Sequence, residues 1–143
     1  MFLLDTNIIS ELRRPERADN NVVSWASAIP VASFFLSAIS IFEIELGTVR
    51  IARKDAAQGA VLRAWIDKQI LPSFEGRILP VDTAVAQRCA RLHVPNPRGE
   101  RDALIAATAI VHGLTVVTRN VGDFKSIDVA LLNPWSIPQI DET

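Results

Sequence analysis

Apolar residues recur along this chain in two alternating rhythms. Short continuous runs, Phe2-Leu3-Leu4, Phe34-Phe35-Leu36, Ile78-Leu79 and Leu114 to Thr118, have the length and composition of strands covered on both faces. Between them lie longer stretches with apolar residues near helical spacing. Thr6-Asn7 opens a short helix before Arg13-Arg14-Pro15, and Asn20 to Ala28 predicts a second, stopped near Pro30. Ser40 to about Lys54 carries Ile41, Ile44, Val49 and Ala52 close to a helical period. Ala56 to Leu71 places Val61, Leu62, Trp65, Ile66 and Ile70 on one side, with Pro72 as the stop. Asp82-Thr83 caps a helix through Leu92, and Val94 to Arg101 reads as a loop rich in Pro and charge. Asp102 to His112 forms a helix ended by Gly113, and Leu131-Leu132 predicts an edge strand.

Strands alternating with helices at this spacing imply parallel pairing, because each crossover is long enough to return to the starting edge. The expected fold is α/β, a three-layer α/β/α sandwich with a short, mainly parallel sheet. No internal repeat, low-complexity tract or long linker interrupts the pattern, so residues 1–143 are expected to form one domain. A chain of this length buries about two-thirds of its unfolded surface.

Composition narrows the classes of function. Hydrophobic residues make up 49% of the chain and its mean hydropathy is +0.22, which leaves apolar surface to hide in a protein interface. No apolar run reaches the ~18 to 20 residues of a membrane span, and Asp5 interrupts Met1-Phe2-Leu3-Leu4, too short a run for a signal-peptide core. A cytoplasmic protein without membrane contact is expected. Cys89 stands alone and reads as a buried structural residue. With 15 basic and 16 acidic residues the net charge is -1, without the basic excess that drives tight nonspecific coating of nucleic acid. A nuclease is still compatible, since divalent metal at a carboxylate cluster reverses the local field.

Topology gathers carboxylates. In a parallel sheet, loops leaving the carboxyl ends of the strands share one edge, where open α/β folds place their sites. Asp5 ends the first strand there, Glu43 lies in the first turn of the helix after Phe34 to Leu36, Asp102 opens a helix, and Asp123 follows Leu114 to Thr118. Each has a local alternative. Asp5-Thr6 can cap a short helix, Ser40-Ile41-Phe42-Glu43 matches a capping box, Asp102 can complement a helix dipole, and Asp123 suits a turn. Four crowded carboxylates, however, need protons or metal to offset their repulsion. Oxygen ligands of this type suit Mg²⁺, with Mn²⁺ as a substitute, and such ions activate water for attack at phosphorus.

Other chemistries lack material. The chain has no Tyr; His93 and His112 sit beside a Pro-rich loop and at a helix end, a poor basis for a paired-histidine ribonuclease. Neither G-x-S-x-G, nor G-x-x-x-x-G-K-[ST], nor G-x-G-x-x-G occurs. Trp25, Trp65 and Trp135 read as core or interface residues rather than platforms for stacking bases. Solvated helix faces explain Arg13, Arg14, Arg17, Arg50, Arg53 and Lys54 as well as phosphate contacts do.

Leu4-Asp5-Thr6-Asn7, Glu43-Ile44-Glu45-Leu46-Gly47, Asp102 to Ala109, and Thr118-Arg119-Asn120-Val121-Gly122-Asp123-Phe124 together resemble a PIN domain. The ending Leu132-Asn133-Pro134-Trp135 is similar to the FitB-like branch of VapC-type toxins. The resemblance implies a metal-dependent endoribonuclease leaving 5′-phosphate and 3′-hydroxyl ends, acting as the toxin of a type II toxin-antitoxin pair. It implies metal binding by Asp5, Glu43, Asp102 and Asp123, with hydrogen-bonding support from Thr6, Thr118 and Asn120. Glu45 is the rival of Glu43, whose spacing to Gly47 matches the family. A homodimer and a small antitoxin covering the site are also implied, with RNA as substrate.

Two readings compete. A phosphatase using Asp5 as nucleophile would be expected to carry a second Asp where Asn7 stands. A non-catalytic PIN-like binding module would keep the acids only as caps.

Overall fold

The computed structural model describes residues 1–136. Among these, five strands form one parallel sheet: β1 (Phe2–Leu4), β2 (Phe34–Ser37), β3 (Ile78–Leu79), β4 (Thr115–Val117) and β5 (Leu131–Leu132). Their spatial order is β3-β2-β1-β4-β5. The chain therefore winds from β1 outward through β2 to β3, then returns to add β4 and β5 on the other side. The direction of winding reverses between β1 and β4, which opens a crevice at their carboxyl ends.

Helices cover both faces: α1 (Thr6–Leu12), α2 (Asn20–Ser27), α3 (Ala38–Lys54), α4 (Ala56–Trp65), the short α5 (Leu71–Ser73), α6 (Thr83–Leu92) and α7 (Glu100–His112). Side chains alternate across a strand, and here each face has its own core. Leu4, Phe34, Leu36 and Val117 point to one face and pack with Ile8 and Ile9 of α1, Ile44 of α3, and Ile66 and Ile70 beyond α4. Leu3 and Val116 point to the other and pack with Ile105, Ala106 and Ala109 of α7. The small residues of α7 also let α6 approach, with Val85 and Cys89 against Ala103 and Ala107. The three-layer sandwich is as expected.

Several boundaries differ from the sequence reading, for local reasons. Strand β2 passes directly into α3, with Ser37 accepting from the Ile39 amide as cap, so the helix begins at Ala38 rather than Ser40. The capping box expected at Ser40 and Glu43 is not formed; Ser40 is buried inside the helix and Glu43 lies in its second turn. Helix α7 starts at Glu100 after Gly99, which places Asp102 within the first turn instead of at its opening. Pro72 does not stop the preceding helix. Lacking an N–H to give Lys68, it follows a widened π segment, Ile66–Ile70, in which the Leu71 amide bonds the Ile66 carbonyl, and the turn continues to Ser73. Gly113 ends α7 in the left-handed region, φ 66°, as expected of a glycine stop.

Candidate active site

The crevice at the carboxyl ends of β1 and β4 deepens into a cavity of about 470 Å³. Asp5, Thr6 and Asn7 enter it from the start of α1, Glu43 from α3, Asp102 from α7, and Arg119 and Asn120 from the segment after β4. Trp135 closes one side.

Asp5 is the most constrained acid. It follows β1 directly, its own amide bonds the Val117 carbonyl of β4, and its side chain is 6% exposed. Its Oδ1 accepts from the Thr6 amide at 2.8 Å, the capping role foreseen for it. Its Oδ2 accepts from Thr118 Oγ1 at 2.8 Å and Asn7 Nδ2 at 3.3 Å. Thr118 Oγ1 itself accepts from the Asn120 amide at 3.0 Å and from Asn7 Nδ2 at 3.3 Å, so its proton is directed at Asp5. Burial nevertheless wins over these donors and pushes the Asp5 carboxyl above its ordinary range, with the charge of Asp123 adding in the same direction.

Glu43 accepts from Thr6 Oγ1 at 2.9 Å and lies 3.9 Å from Arg101. Asp102 is pushed up to about 6, first by burial and then by the charges of Asp5, Asp123 and Glu43. All four expected acids thus share one electric field. They do not share it equally. Asp5, Glu43 and Asp102 line the cavity, whereas Asp123 stands exposed beside it on a 3₁₀ turn, Val121–Phe124, anchored by buried Phe124.

Among the described residues, no three Asp, Glu, His or Cys side chains are gathered closely enough to hold an ion as they stand. The donor set still fits a hard divalent cation: carboxylate oxygens without thiol or imidazole, two of them, Asp5 and Asp102, pushed up by burial and then by neighbouring charge. Mutual repulsion spreads such a set, and an ion at its centre would draw it together.

The supporting residues behave differently from one another. Thr6 and Thr118 hold Glu43 and Asp5 through their hydroxyls, while Asn120 contributes its backbone amide. Asn7 was missed as a support. Its amide nitrogen reaches Asp5 and Thr118, and its oxygen accepts from the Arg119 amide at 3.2 Å, tying α1 to the segment after β4. The Asp-x-Asn spacing at a strand-to-helix junction was the available signal. Glu45 is no rival of Glu43: both its oxygens take the Arg63 guanidinium of α4, at 2.6 and 2.8 Å, and this pairing lowers its carboxyl pKa. His93 accepts from the Arg98 amide at 3.1 Å in the loop before α7, a structural use as expected.

Comparison with known proteins agrees with this architecture. Residues 2–130 match the PIN domain family, and the chain belongs to that family. It is 41% identical over 140 residues to Toxin FitB of Neisseria gonorrhoeae, covering 94% of this chain and 99% of that protein. It is 33% identical over 140 residues to VapC ribonuclease Y4jK of Sinorhizobium fredii, covering 94% and 98% respectively. The crystal structure of FitAcB from Neisseria gonorrhoeae superposes with a TM-score of 0.87 at 39% identity, covering 96% of this chain and all of that one.

Proposed function

We propose that this chain is a Mg²⁺-dependent endoribonuclease, with Mn²⁺ as a substitute, and the toxin of a type II toxin-antitoxin pair. The observation that carries the reading is the convergence of Asp5, Glu43 and Asp102 on one cavity at the sheet's switch point, with Asp123 within electrostatic reach. Relatives named as a toxin and a VapC ribonuclease, aligned over nearly their whole length, support the toxin and ribonuclease parts of the reading.

Asp5, Glu43, Asp102 and Asp123 are the residues that would hold metal. When bound, a divalent ion would supply an activated water for in-line attack on phosphorus and offset charge on the leaving oxygen. The chain's own part is orientation. Three donors keep both Asp5 oxygens fixed, and Thr6 aims Glu43 into the same cavity. Oδ1 accepts one bond and Oδ2 two, so Oδ1 keeps a lone pair that could bind an ion while the carboxylate stays oriented. Asp102, whose carboxyl is pushed up to about 6 by burial and then by the surrounding charges, would have to be in its charged form to serve as a ligand, so metal binding would favour its ionisation.

In this reading, residues 1–143 act as one PIN-like domain in the cytoplasm, as a homodimer bound by its antitoxin until released. No helix among the described residues is long and apolar enough to cross a membrane. Exposed Phe42, Val49 and Val61 on α3 and α4 supply apolar surface for protein contacts.

Cleavage of a mixed structured RNA by antitoxin-free protein tests the reading. Activity should require Mg²⁺ or Mn²⁺, vanish with EDTA, and be lost in Asp5→Ala and Asp102→Asn variants that keep the fold. Near wild-type cleavage by Asp102→Asn would reject the site. A folded protein that binds Mn²⁺ weakly and cuts nothing would favour the non-catalytic module.

A further inference from the structure

An acidic cavity that receives RNA faces a charge problem beyond the scissile phosphate. Metal at the carboxylates offsets charge at the point of cutting, but flanking phosphates still approach Glu11, Glu43 and their neighbours. Of the described residues lining the cavity, only Arg119 is a cation.

Arg13 lies over a tryptophan ring, that of Trp65, but outside this cavity, and three other arginines are committed to protein acceptors. Arg63 gives its fork to Glu45 and Asp67, Arg77 to the carbonyls of Phe34 and Ser73, and Arg98 to the carbonyls of Leu92, Lys125 and Ser126. The Arg119 guanidinium has no hydrogen-bond or ion-pair partner among the described residues, although it borders a cluster of carboxylates. It lies instead over the Trp135 ring, 5.2 Å from the centroid. A cation–π contact of this kind takes up none of the guanidinium N–H groups as hydrogen-bond donors, and they stay available.

The backbone beneath is held at both ends. The Arg119 amide donates to Asn7 Oδ1 at 3.2 Å, and its carbonyl accepts from Asn133 Nδ2 at 3.5 Å. Trp135 is fixed in turn: its amide donates to Asn133 Oδ1 at 3.0 Å, its carbonyl accepts from Asn21 Nδ2 at 3.2 Å, and its ring packs on the first core. Asn133 therefore ties the arginine and its shelf into one unit. A guanidinium lodged over an aromatic ring, with no acceptor among the described residues on its N–H groups, suits the two-oxygen recognition of phosphate.

We propose that Arg119, held on the Trp135 shelf, is a phosphate subsite for the RNA backbone next to the scissile bond. This rests on the ribonuclease reading above. Arg119 is a substrate-binding residue here, and Trp135 positions it.

The test compares Arg119→Ala, Arg119→Lys and Trp135→Ala with wild type, using cleavage kinetics on a short single-stranded RNA with Mg²⁺. Binding of the same RNA to Asp102→Asn protein, with and without Arg119→Ala, is measured across a salt series. Arg119→Ala is expected to raise KM about tenfold with the smaller part of the effect in kcat, the size of one lost phosphate contact. The slope of log affinity against log salt should fall by ~0.7, the value for one phosphate on a single strand. Arg119→Lys should restore the slope but only part of the KM, since it keeps charge without the fork. Trp135→Ala should raise KM with the salt slope retained.

An unchanged KM and slope in Arg119→Ala, with Asp102→Asn inactive, would overturn the subsite while leaving the nuclease intact. So would an effect confined to kcat, or one seen only in binding of an acidic protein partner. Full activity in Asp102→Asn would instead overturn the underlying site.

Discussion

Thr118 Oγ1 donates to Asp5 Oδ2 at 2.8 Å, a buried bond between residues 113 positions apart that joins the ends of β4 and β1. Both groups are nearly without solvent, so neither has water as an alternative partner. Thr118→Val should cost about 1–3 kcal/mol, the desolvation cost of a buried acceptor losing its donor. It should also push the Asp5 carboxyl further above its ordinary range, since this bond is the largest influence lowering it. Thr118→Ser should retain most of both. Urea denaturation and Mn²⁺ titration of the three proteins check the pair.

Asp102 gives a pH dependence whose sign is opposite to that of a salt-bridged acid. Its carboxyl rises from an ordinary 3.8 to about 6 in the fold, so the folded chain binds this proton more tightly than the unfolded chain. The contribution is present below about pH 4 and is lost as pH rises through about 6. Buried Asp5 shifts in the same direction. In EDTA, Asp102→Asn should therefore be more stable than wild type at about pH 7.5, with the difference closing near pH 4. After allowance for solvent screening, a gain of about 1 kcal/mol, or ~4 °C in Tm, is expected. Thermal melts across pH read it directly; a less stable variant at neutral pH would contradict crowding of the carboxylates.

Gly59 is where α4 meets α3. A Cβ there would stand 2.4 Å from Ala52 Cβ and 2.5 Å from its Cα, so backbone must move. Gly59→Ala should lose about 1–3 kcal/mol through overpacking, despite the better helix propensity of alanine. A stabilised variant in denaturant unfolding would show that the two helices part without cost.

Phe124 couples the second core to the site. It is fully buried, and the turn that it anchors carries Asp123. Phe124→Ala should cost about 3–5 kcal/mol and weaken Mn²⁺ binding as well, because Asp123 loses its fixed position. Phe124→Leu should keep more of both. Calorimetric Mn²⁺ titration below the unfolding transition separates loss of position from loss of fold.

The alternating rhythm of the chain was enough to determine its class of fold. Runs such as Phe2-Leu3-Leu4 and the strand at Thr115–Val117 could bury both faces only in a covered parallel sheet, and Gly113 stopped α7 where a left-handed residue was needed. The meeting of Asp5, Glu43 and Asp102 in one cavity was legible too, because each lies at a strand end or within the first turns of a helix, positions that topology brings to one edge.

Tertiary structure decided what those positions became. Whether Glu43 or Glu45 faced the cavity depended on Arg63, eighteen residues away on another helix. Which Ser capped α3 depended on how β2 ran into it, and Pro72 was accommodated by a π segment that local propensity does not encode. The sheet order β3-β2-β1-β4-β5 placed Thr118 and Asn7 on Asp5, and Arg119 over Trp135. Periodicity is a local property of the chain and survives without a fold. Hydrogen bonds, shared fields and stacking depend on distances between remote segments, which exist only once the sheet has closed its order.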